Sequence, residues 1–142
     1  VQQLLDDFNL VKQCRVTSYA MTDRQLGVMY QACSAVVLPS LGEGFGYPLV
    51  EALASGTAVV TSDLAGGREL IPKGEWRVPA RGWRLEGIYA LRRPVYEPSD
   101  WANARERAGV WREAVGEPVA RAYCAGSVAH LGWQSLWPRW RS

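Results

Sequence analysis

Residues 39–62 read PSLGEGFGYPLVEALASGTAVVTS, and their order predicts a strand end, a glycine-rich loop, a helix and a second strand. Residues 35–39 form an apolar run that a proline ends, which is typical of a buried strand. Pro48 suits the first turn of a helix and Gly56 suits its end, because proline has a fixed φ and glycine tolerates a positive one. Residues 58–62 form a second apolar run. The stretch therefore predicts two strands of a parallel sheet joined by a helix.

The segments on either side of this stretch predict more helices and strands. Residues 2–13 carry apolar side chains at helical spacing, and residues 14–18 indicate a short strand. Thr22 and Gln25 match a capping box, which predicts the start of another helix. Toward the carboxyl end, helices are predicted over residues 98–115, 118–130 and 133–141.

Residues 72–98 differ in composition from the segments around them. They contain prolines at positions 72, 79, 94 and 98, two tryptophans and many arginines, which predict an irregular excursion with one or two short strands. A turn is predicted before them, at Gly66 and Gly67. Strands that alternate with helices through short connections predict the α/β class. We expect a single Rossmann-like domain over residues 1–142, with a parallel sheet and helices on both faces.

The composition excludes several classes of protein. The net charge of +2 is too small to indicate nucleic acid or an anionic membrane as the main partner. No apolar run approaches the ~20 residues of a membrane span. The three cysteines and one histidine have no metal-ligand spacing, so we expect no metal site. Each cysteine lies in an apolar stretch, which predicts reduced, buried thiols in a cytoplasmic protein.

The loop between the two predicted strands has the features of a phosphate-binding loop. Open parallel sheets bind ligands at the carboxyl ends of their strands, and this loop lies at such an end. Gly44 and the other loop glycines let the backbone turn tightly and approach a ligand closely. The N–H groups near Phe45, Gly46 and Tyr47 precede the helix and add to its positive end, which favours phosphate.

Two glutamates eight positions apart flank the start of this helix. Glu43 lies in the loop and Glu51 lies about one turn inside the helix, so each can accept hydrogen bonds from a different set of hydroxyl groups. A ligand with hydroxyl groups at both ends and phosphates in the middle would match this order. A nucleoside diphosphate sugar has that layout.

The segment EGFGYPLVE at residues 43–51, followed by ALASGTAVVTS, resembles the EX7E motif of GT-B glycosyltransferases of the family-4 type, the glycosyl transferases group 1. The resemblance extends from about residue 14 to residue 70, and the closing LGWQSLWPRW is similar to the last helix of that family. It implies that Glu43 is catalytic, contacts sugar hydroxyls and stabilises the developing sugar cation. It also implies that Glu51 holds the ribose hydroxyls.

The same resemblance implies where the rest of the donor is bound. The base would be contacted by the loop of Ser18, Tyr19 and Ala20, largely through its backbone. The sequence departs from the family at two points: Ser18 stands where a glycine is usual, and Arg68 stands where a proline before the glutamate is usual. The residues implied to bind the donor are then Glu51, Gly44, Phe45, Gly46, Tyr47, Ser18, Tyr19 and Ala20.

The family has an N-terminal acceptor-binding domain with a catalytic histidine or its equivalent. It also has an opening strand of the second domain, followed by basic residues that neutralise the diphosphate. Neither is found in residues 1–142. The resemblance therefore implies the donor-binding half of a retaining hexosyltransferase, incomplete as a catalyst alone. It implies a UDP-, GDP- or ADP-linked sugar as substrate, no other cofactor, and an acceptor domain or partner chain that completes the enzyme.

Two alternatives remain open at this stage. A free-standing module could bind a nucleotide or a partner without catalysis, and the extent of the reading frame would discriminate it from a half-enzyme. A sugar-nucleotide epimerase would need additional acid and base residues, which are not found. We also expect a homo-oligomer, held by an open sheet edge or by an apolar helical stripe of Trp133, Leu136, Trp137 and Trp140.

Overall fold

The computed structural model describes residues 2–42, 44–71 and 73–132. Its helices are α1 (Gln2–Asp7), α2 (Asp23–Ala32), α3 (Tyr47–Ala54), α4 (Ala65–Leu70), α5 (Pro98–Val115) and α6 (Glu117–Val128). Its strands are β1 (Val36–Leu38), β2 (Val59–Ser62), β3 (Arg77–Val78), β4 (Gly82–Glu86) and β5 (Leu91–Val95). Short 3-10 turns occupy Gly74–Trp76 and Ala129–Leu131.

The central sheet is parallel, with strand order β1-β2-β3. Val36 of β1 lies opposite Val59 of β2, and Thr61 of β2 lies opposite Arg77 of β3. Every residue of β2 is buried. Because successive side chains of a strand point to opposite faces, this burial means that both faces of the sheet are covered at β2. Helices α3, α4 and α5 all contact β2. The predicted α/β class with a parallel sheet is confirmed.

The ends of α2 and α3 follow the local signals in the sequence. Thr22 and Gln25 form the predicted capping box, in which Gln25 Oε1 accepts from the Thr22 backbone N–H at 2.9 Å. Before α3, Gly46 has a left-handed φ of 83°, and Pro48 lies in the first turn. Gly56 follows the helix with a φ of 80°. Each glycine takes a conformation that other residues adopt at a cost, so the chain turns into and out of α3 where the sequence predicts.

The core lies where α3, α5 and α6 meet the sheet. Leu49 and Leu53 of α3 are fully buried, as are Val59 and Val60 of β2. Trp76, before β3, is also fully buried and meets Trp111 of α5 edge to face, with ring centroids 5.0 Å apart. These side chains join the central strands to the carboxyl-terminal helices in one cluster.

Several local predictions before residue 72 are wrong. The first helix ends at Asp7, short of the predicted residue 13, and residues 14–18 form no strand. They run as exposed coil, and no described strand lies beside them to pair with their backbone groups. Gly66 and Gly67 lie within α4 and not in a turn before it. A methyl group on Gly67 would lie 2.4 Å from the Ser62 carbonyl oxygen, so the glycine lets α4 approach the end of β2.

Residues 72–98 are more regular than their composition predicts. They contribute three strands where one or two were expected, and β4 and β5 pair as an antiparallel hairpin. The hairpin turn uses positive φ values of 72° at Gly87 and 49° at Ala90. Arg81, at the base of the hairpin, donates to both carboxylate oxygens of Asp100 in α5, at 2.7 and 2.6 Å. This two-bond contact anchors the hairpin to the rest of the domain.

The expectation of three buried thiols holds only for Cys124. Burial raises the pKa of the Cys124 thiol to about 11, so this side chain stays protonated and unreactive. Cys33 is half-buried and Cys14 is exposed, because residue 14 lies in the coil that was predicted to be a strand.

Two further predictions concern an apolar stripe at the carboxyl end and membrane-spanning segments. The apolar stripe from Trp133 to Trp140 lies outside the described residues. Among the helices of the described ranges, none combines the length and the apolar character needed to cross a membrane.

Candidate functional site

The glycine-rich loop begins at the carboxyl end of β1 and is held there by the end of β2. The Thr61 hydroxyl donates to the Leu38 carbonyl at 3.0 Å, and the Ser62 hydroxyl donates to the Ser40 carbonyl. Both bonds run from side chains of β2 to the backbone of the neighbouring strand or loop. They place the loop at the edge of the sheet where parallel folds bind ligands, as the sequence predicts.

Helix α4 supports the far end of this loop. A methyl group on Gly66 would lie 3.0 Å from the Phe45 carbonyl oxygen and 3.2 Å from that of Gly44. The backbone of α4 therefore packs directly against the backbone of the loop, with no side chain between them. A larger residue at position 66 would have to displace the loop or the helix.

The loop leads into α3 through Gly46, which is buried, whereas the neighbouring aromatic side chains are exposed. The rings of Phe45 and Tyr47 lie 5.2 Å apart and are 47% and 69% exposed. Gly46 has no side chain that could cap the first N–H groups of α3. Pro48 has no N–H, and the Leu49 N–H donates to the Gly46 carbonyl at 2.9 Å. The backbone N–H groups at Gly46 and Tyr47 are therefore the ones that an anionic ligand would reach, and the two rings form a rim beside them.

Glu51 lies on α3 beside a shallow depression of about 230 Å³ between α2 and α3. The Tyr30 hydroxyl of α2 donates to Glu51 Oε2 at 3.1 Å. Tyr30 is only 7% exposed, and its own carbonyl accepts a 2.7 Å hydrogen bond from the Thr57 hydroxyl. The lining residues of the depression are Asp23, Leu26, Gly27, Tyr30, Glu51 and Ser55.

Tyr30 keeps its proton at physiological pH and so acts as a donor toward Glu51. Burial raises the pKa of Tyr30 to about 12, and the hydrogen bond with Glu51 adds to this effect. The hydroxyl occupies one oxygen of the Glu51 carboxylate, and the other oxygen can still accept hydrogen bonds. The carboxylate is exposed, so a ligand in the depression can reach it.

The sequence motifs do not predict the role of Tyr30. One signal was present: a tyrosine on a buried face brings a hydroxyl that needs a hydrogen-bond partner. The partner is 21 positions away in the sequence. Helical spacing alone could not have identified it, because the pair forms only when α2 docks on α3.

The predicted base-contacting loop lies apart from Glu51. Ser18, Tyr19 and Ala20 are exposed coil, and Tyr19 borders a different depression, of about 310 Å³. From α2, that depression is lined by residues 25, 28 and 29, whereas residues 23, 26, 27 and 30 face Glu51. At 100° per residue these two sets lie on opposite faces of α2.

The structure thus gathers some of the predicted site residues and not others. It brings Gly44, Phe45, Gly46 and Tyr47 to the start of α3, with Glu51 one turn further along the same helix. It does not bring Tyr19 and Glu51 into one depression. Glu43, the predicted catalytic residue, lies outside the described residues.

Known proteins resemble this chain in both sequence and structure. O-antigen chain mannosyltransferase RfbU of Salmonella typhimurium is 33% identical over 90 residues, which cover 49% of this chain and 26% of RfbU. Glycogen synthase of Mycobacterium tuberculosis is 29% identical over 131 residues, which cover 86% of this chain and 32% of the synthase. The chain therefore spans about a quarter to a third of the length of these relatives.

The structural likeness supports the same fold. The pneumococcal O-GlcNAc transferase GtfA, solved in complex with UDP and GlcNAc, superimposes with a TM-score of 0.68 at 16% identity. The match covers 99% of this chain and 25% of GtfA, and it confirms the predicted GT-B type of α/β fold. The family of glycosyl transferases group 1 matches residues 1–84, which is more than half of the 142. The chain belongs to the glycosyl transferases group 1 family.

Proposed function

We propose that this chain forms the donor-binding half of a retaining glycosyltransferase and binds a nucleoside diphosphate sugar. The observation that carries the proposal is the position of Glu51 on α3, the helix that follows the glycine-rich loop. Its exposed carboxylate is oriented by a hydrogen bond from the buried Tyr30 of α2. Three similar proteins fit this reading: their names describe a mannosyltransferase, a glycogen synthase, and an O-GlcNAc transferase solved with UDP.

Helix α3 orders the proposed contacts along the donor. The backbone N–H groups of Gly46 and Tyr47, at the start of this helix, would face the diphosphate. Glu51 lies four residues beyond Tyr47, or about 6 Å along the helix axis at 1.5 Å per residue. That spacing suits a ribose bonded to the diphosphate, and the carboxylate would accept hydrogen bonds from the ribose hydroxyls. One helix would thus bind two neighbouring parts of the nucleotide.

The sugar would lie at the opposite end of the diphosphate, near Glu43 in the loop. In the proposed reaction the bond between the anomeric carbon and the diphosphate oxygen breaks, and the diphosphate leaves with the electron pair. The Glu43 carboxylate would stabilise the positive charge on the sugar. The acceptor oxygen bonds to the anomeric carbon from the same face and passes its proton to the departing diphosphate oxygen, which gives retention. An acceptor domain or partner chain would hold the acceptor.

Binding of a nucleoside diphosphate by the purified chain is the first test. We expect ligand-observed NMR to detect weak, millimolar-range binding of at least one of UDP, GDP and ADP, and tighter binding of a matching sugar nucleotide. The corresponding nucleosides without phosphate serve as matched ligands, since they lack the groups that α3 and the loop would bind. An absence of signal for every nucleotide at millimolar concentration contradicts the proposal.

Glu43→Ala tests the division of the site between sugar and nucleotide. We expect this variant to bind a sugar nucleotide roughly 10-fold or more weakly, because a lost charge-assisted hydrogen bond costs about 1.5–3 kcal/mol. Its affinity for the bare nucleoside diphosphate should change little. Glu69→Ala, on the exposed surface of α4, is the matched control. Equal losses for sugar nucleotide and bare nucleotide would show that Glu43 does not contact the sugar.

A further inference from the structure

The β4–β5 hairpin places two arginines directly opposite each other. Arg84 and Arg93 are partners in the antiparallel register, so their side chains lie on the same face of the hairpin. Like charges at directly opposed positions destabilise a strand pair. The two guanidinium groups therefore need an anionic partner on this face of the hairpin.

Glu86 is the ion-pair partner of both arginines among the described residues. Arg84 Nη2 lies 3.3 Å from Glu86 Oε1, and Arg93 Nε lies 3.6 Å from Glu86 Oε2. One carboxylate therefore faces two guanidinium groups, which leaves an excess of one positive charge in this cluster. The side chains of Arg84 and Arg93 are 60% and 35% exposed, so both can reach a ligand.

The arginine pair faces the beginning of the glycine-rich loop. A methyl group on Gly42 would lie 3.2 Å from Arg93 Nη1, so the guanidinium group lies almost directly over the loop backbone. A depression of about 290 Å³ separates the loop from the hairpin. Its lining residues are Leu41 of the loop and Arg84, Pro94, Val95 and Tyr96 of the hairpin and the segment after it.

We propose that Arg84 and Arg93 form an anion site that binds the diphosphate of the donor. This inference rests on the proposed function, because it assigns cationic residues to the same donor site. Guanidinium groups bind phosphate through paired, charge-assisted hydrogen bonds, and a diphosphate offers enough oxygens for two of them. The N–H groups at the start of α3 would hold one side of the diphosphate, and the hairpin would close over the other.

The test compares Arg93→Gln and Arg84→Gln with the matched control Arg92→Gln. Arg92 lies in the same strand on the opposite face, with its guanidinium carbon 4.5 Å from the centre of the Trp83 ring. Affinities of the wild type and variants are measured by titration calorimetry for UDP, GDP and ADP, for the matching nucleosides, and for inorganic pyrophosphate. Thermal unfolding verifies that each variant folds, and Arg93→Lys retains the charge without the paired geometry.

We expect Arg93→Gln to lower the affinity for nucleoside diphosphates and pyrophosphate by roughly 10-fold or more. Arg84→Gln should lower it by less, because the Arg84 side chain is more exposed. Nucleoside affinity should not change, Arg92→Gln should match the wild type, and Arg93→Lys should fall between wild type and glutamine. Unchanged diphosphate affinity in both glutamine variants overturns the anion site. A loss of nucleoside affinity as large as the loss of diphosphate affinity also overturns it, because Arg93 would then act on the nucleoside.

The outcomes also separate this inference from the proposed function. If the wild type binds nucleoside diphosphates and the glutamine variants bind them equally well, the donor site stands and the arginine site fails. If the wild type binds pyrophosphate through Arg93 but prefers no nucleotide, the anion site stands and the proposed function fails. If the wild type binds none of these ligands, both are overturned.

Discussion

Trp76→Ala is expected to lower the free energy of unfolding by about 3–5 kcal/mol, the range measured when a buried tryptophan or phenylalanine is truncated. Trp76 is fully buried between the sheet and α5. The substitution removes its edge-to-face contact with Trp111, whose ring centroid is 5.0 Å away, together with its other packing. Domains of this kind are stable by only about 5–15 kcal/mol, so the variant loses a large share of its stability.

Urea unfolding followed by far-ultraviolet circular dichroism measures this loss. Trp83→Ala is the matched control, because Trp83 lies on the exposed hairpin with 47% of its surface accessible. We expect the control to lose less than about 1 kcal/mol, as is usual for surface positions. If both variants were equally stable, Trp76 would not hold β3 and α5 together, and the position of the core would need revision.

Glu51→Ala is expected to weaken nucleotide binding by roughly 10–100-fold, because it removes charge-assisted hydrogen bonds worth about 1.5–3 kcal/mol. Tyr30→Phe should weaken binding by a smaller factor, since it retains the carboxylate and removes only the hydroxyl that orients it at 3.1 Å. Both variants should lose affinity for the nucleoside as well as the diphosphate, because the ribose is the group that Glu51 is proposed to hold.

Titration of nucleoside and nucleotide into both variants provides the measurement. The control for the change in net charge is Glu113→Ala, which removes an exposed carboxylate of α5. A double variant of Tyr30→Phe and Glu51→Ala should bind no more weakly than Glu51→Ala alone if Tyr30 acts through the carboxylate. Additive losses would instead indicate that Tyr30 contacts the ligand itself.

The central strands and α3 could be predicted because their signals are local. The apolar runs at residues 35–39 and 58–62 indicate the buried strands. Gly46 and Gly56 mark the two ends of α3 because both have a positive φ. The capping box at Thr22 is likewise contained within four residues. These features depend on residues that are close in sequence, so they can be predicted without knowing how the helices and strands pack.

Predictions that needed a neighbour in space were less successful. Residues 14–18 have strand-like composition, but a strand forms only where another strand offers its backbone groups, and none of the described strands does so here. Gly66 and Gly67 look like a turn in sequence. They are helical because their lack of side chains lets α4 pack on the Ser62 carbonyl and on the loop backbone.

By itself, the sequence was sufficient to determine the α/β class, the loop at the end of β1, and the family through its resemblance. The tertiary structure alone decided which charged and polar side chains meet. Tyr30 reaches Glu51 because α2 docks on α3, and Arg93 reaches Gly42 because the hairpin register turns both arginines toward the loop. Such contacts depend on how separate elements dock, and the free energy of docking comes from burial over the whole core. No local pattern along the chain encodes it.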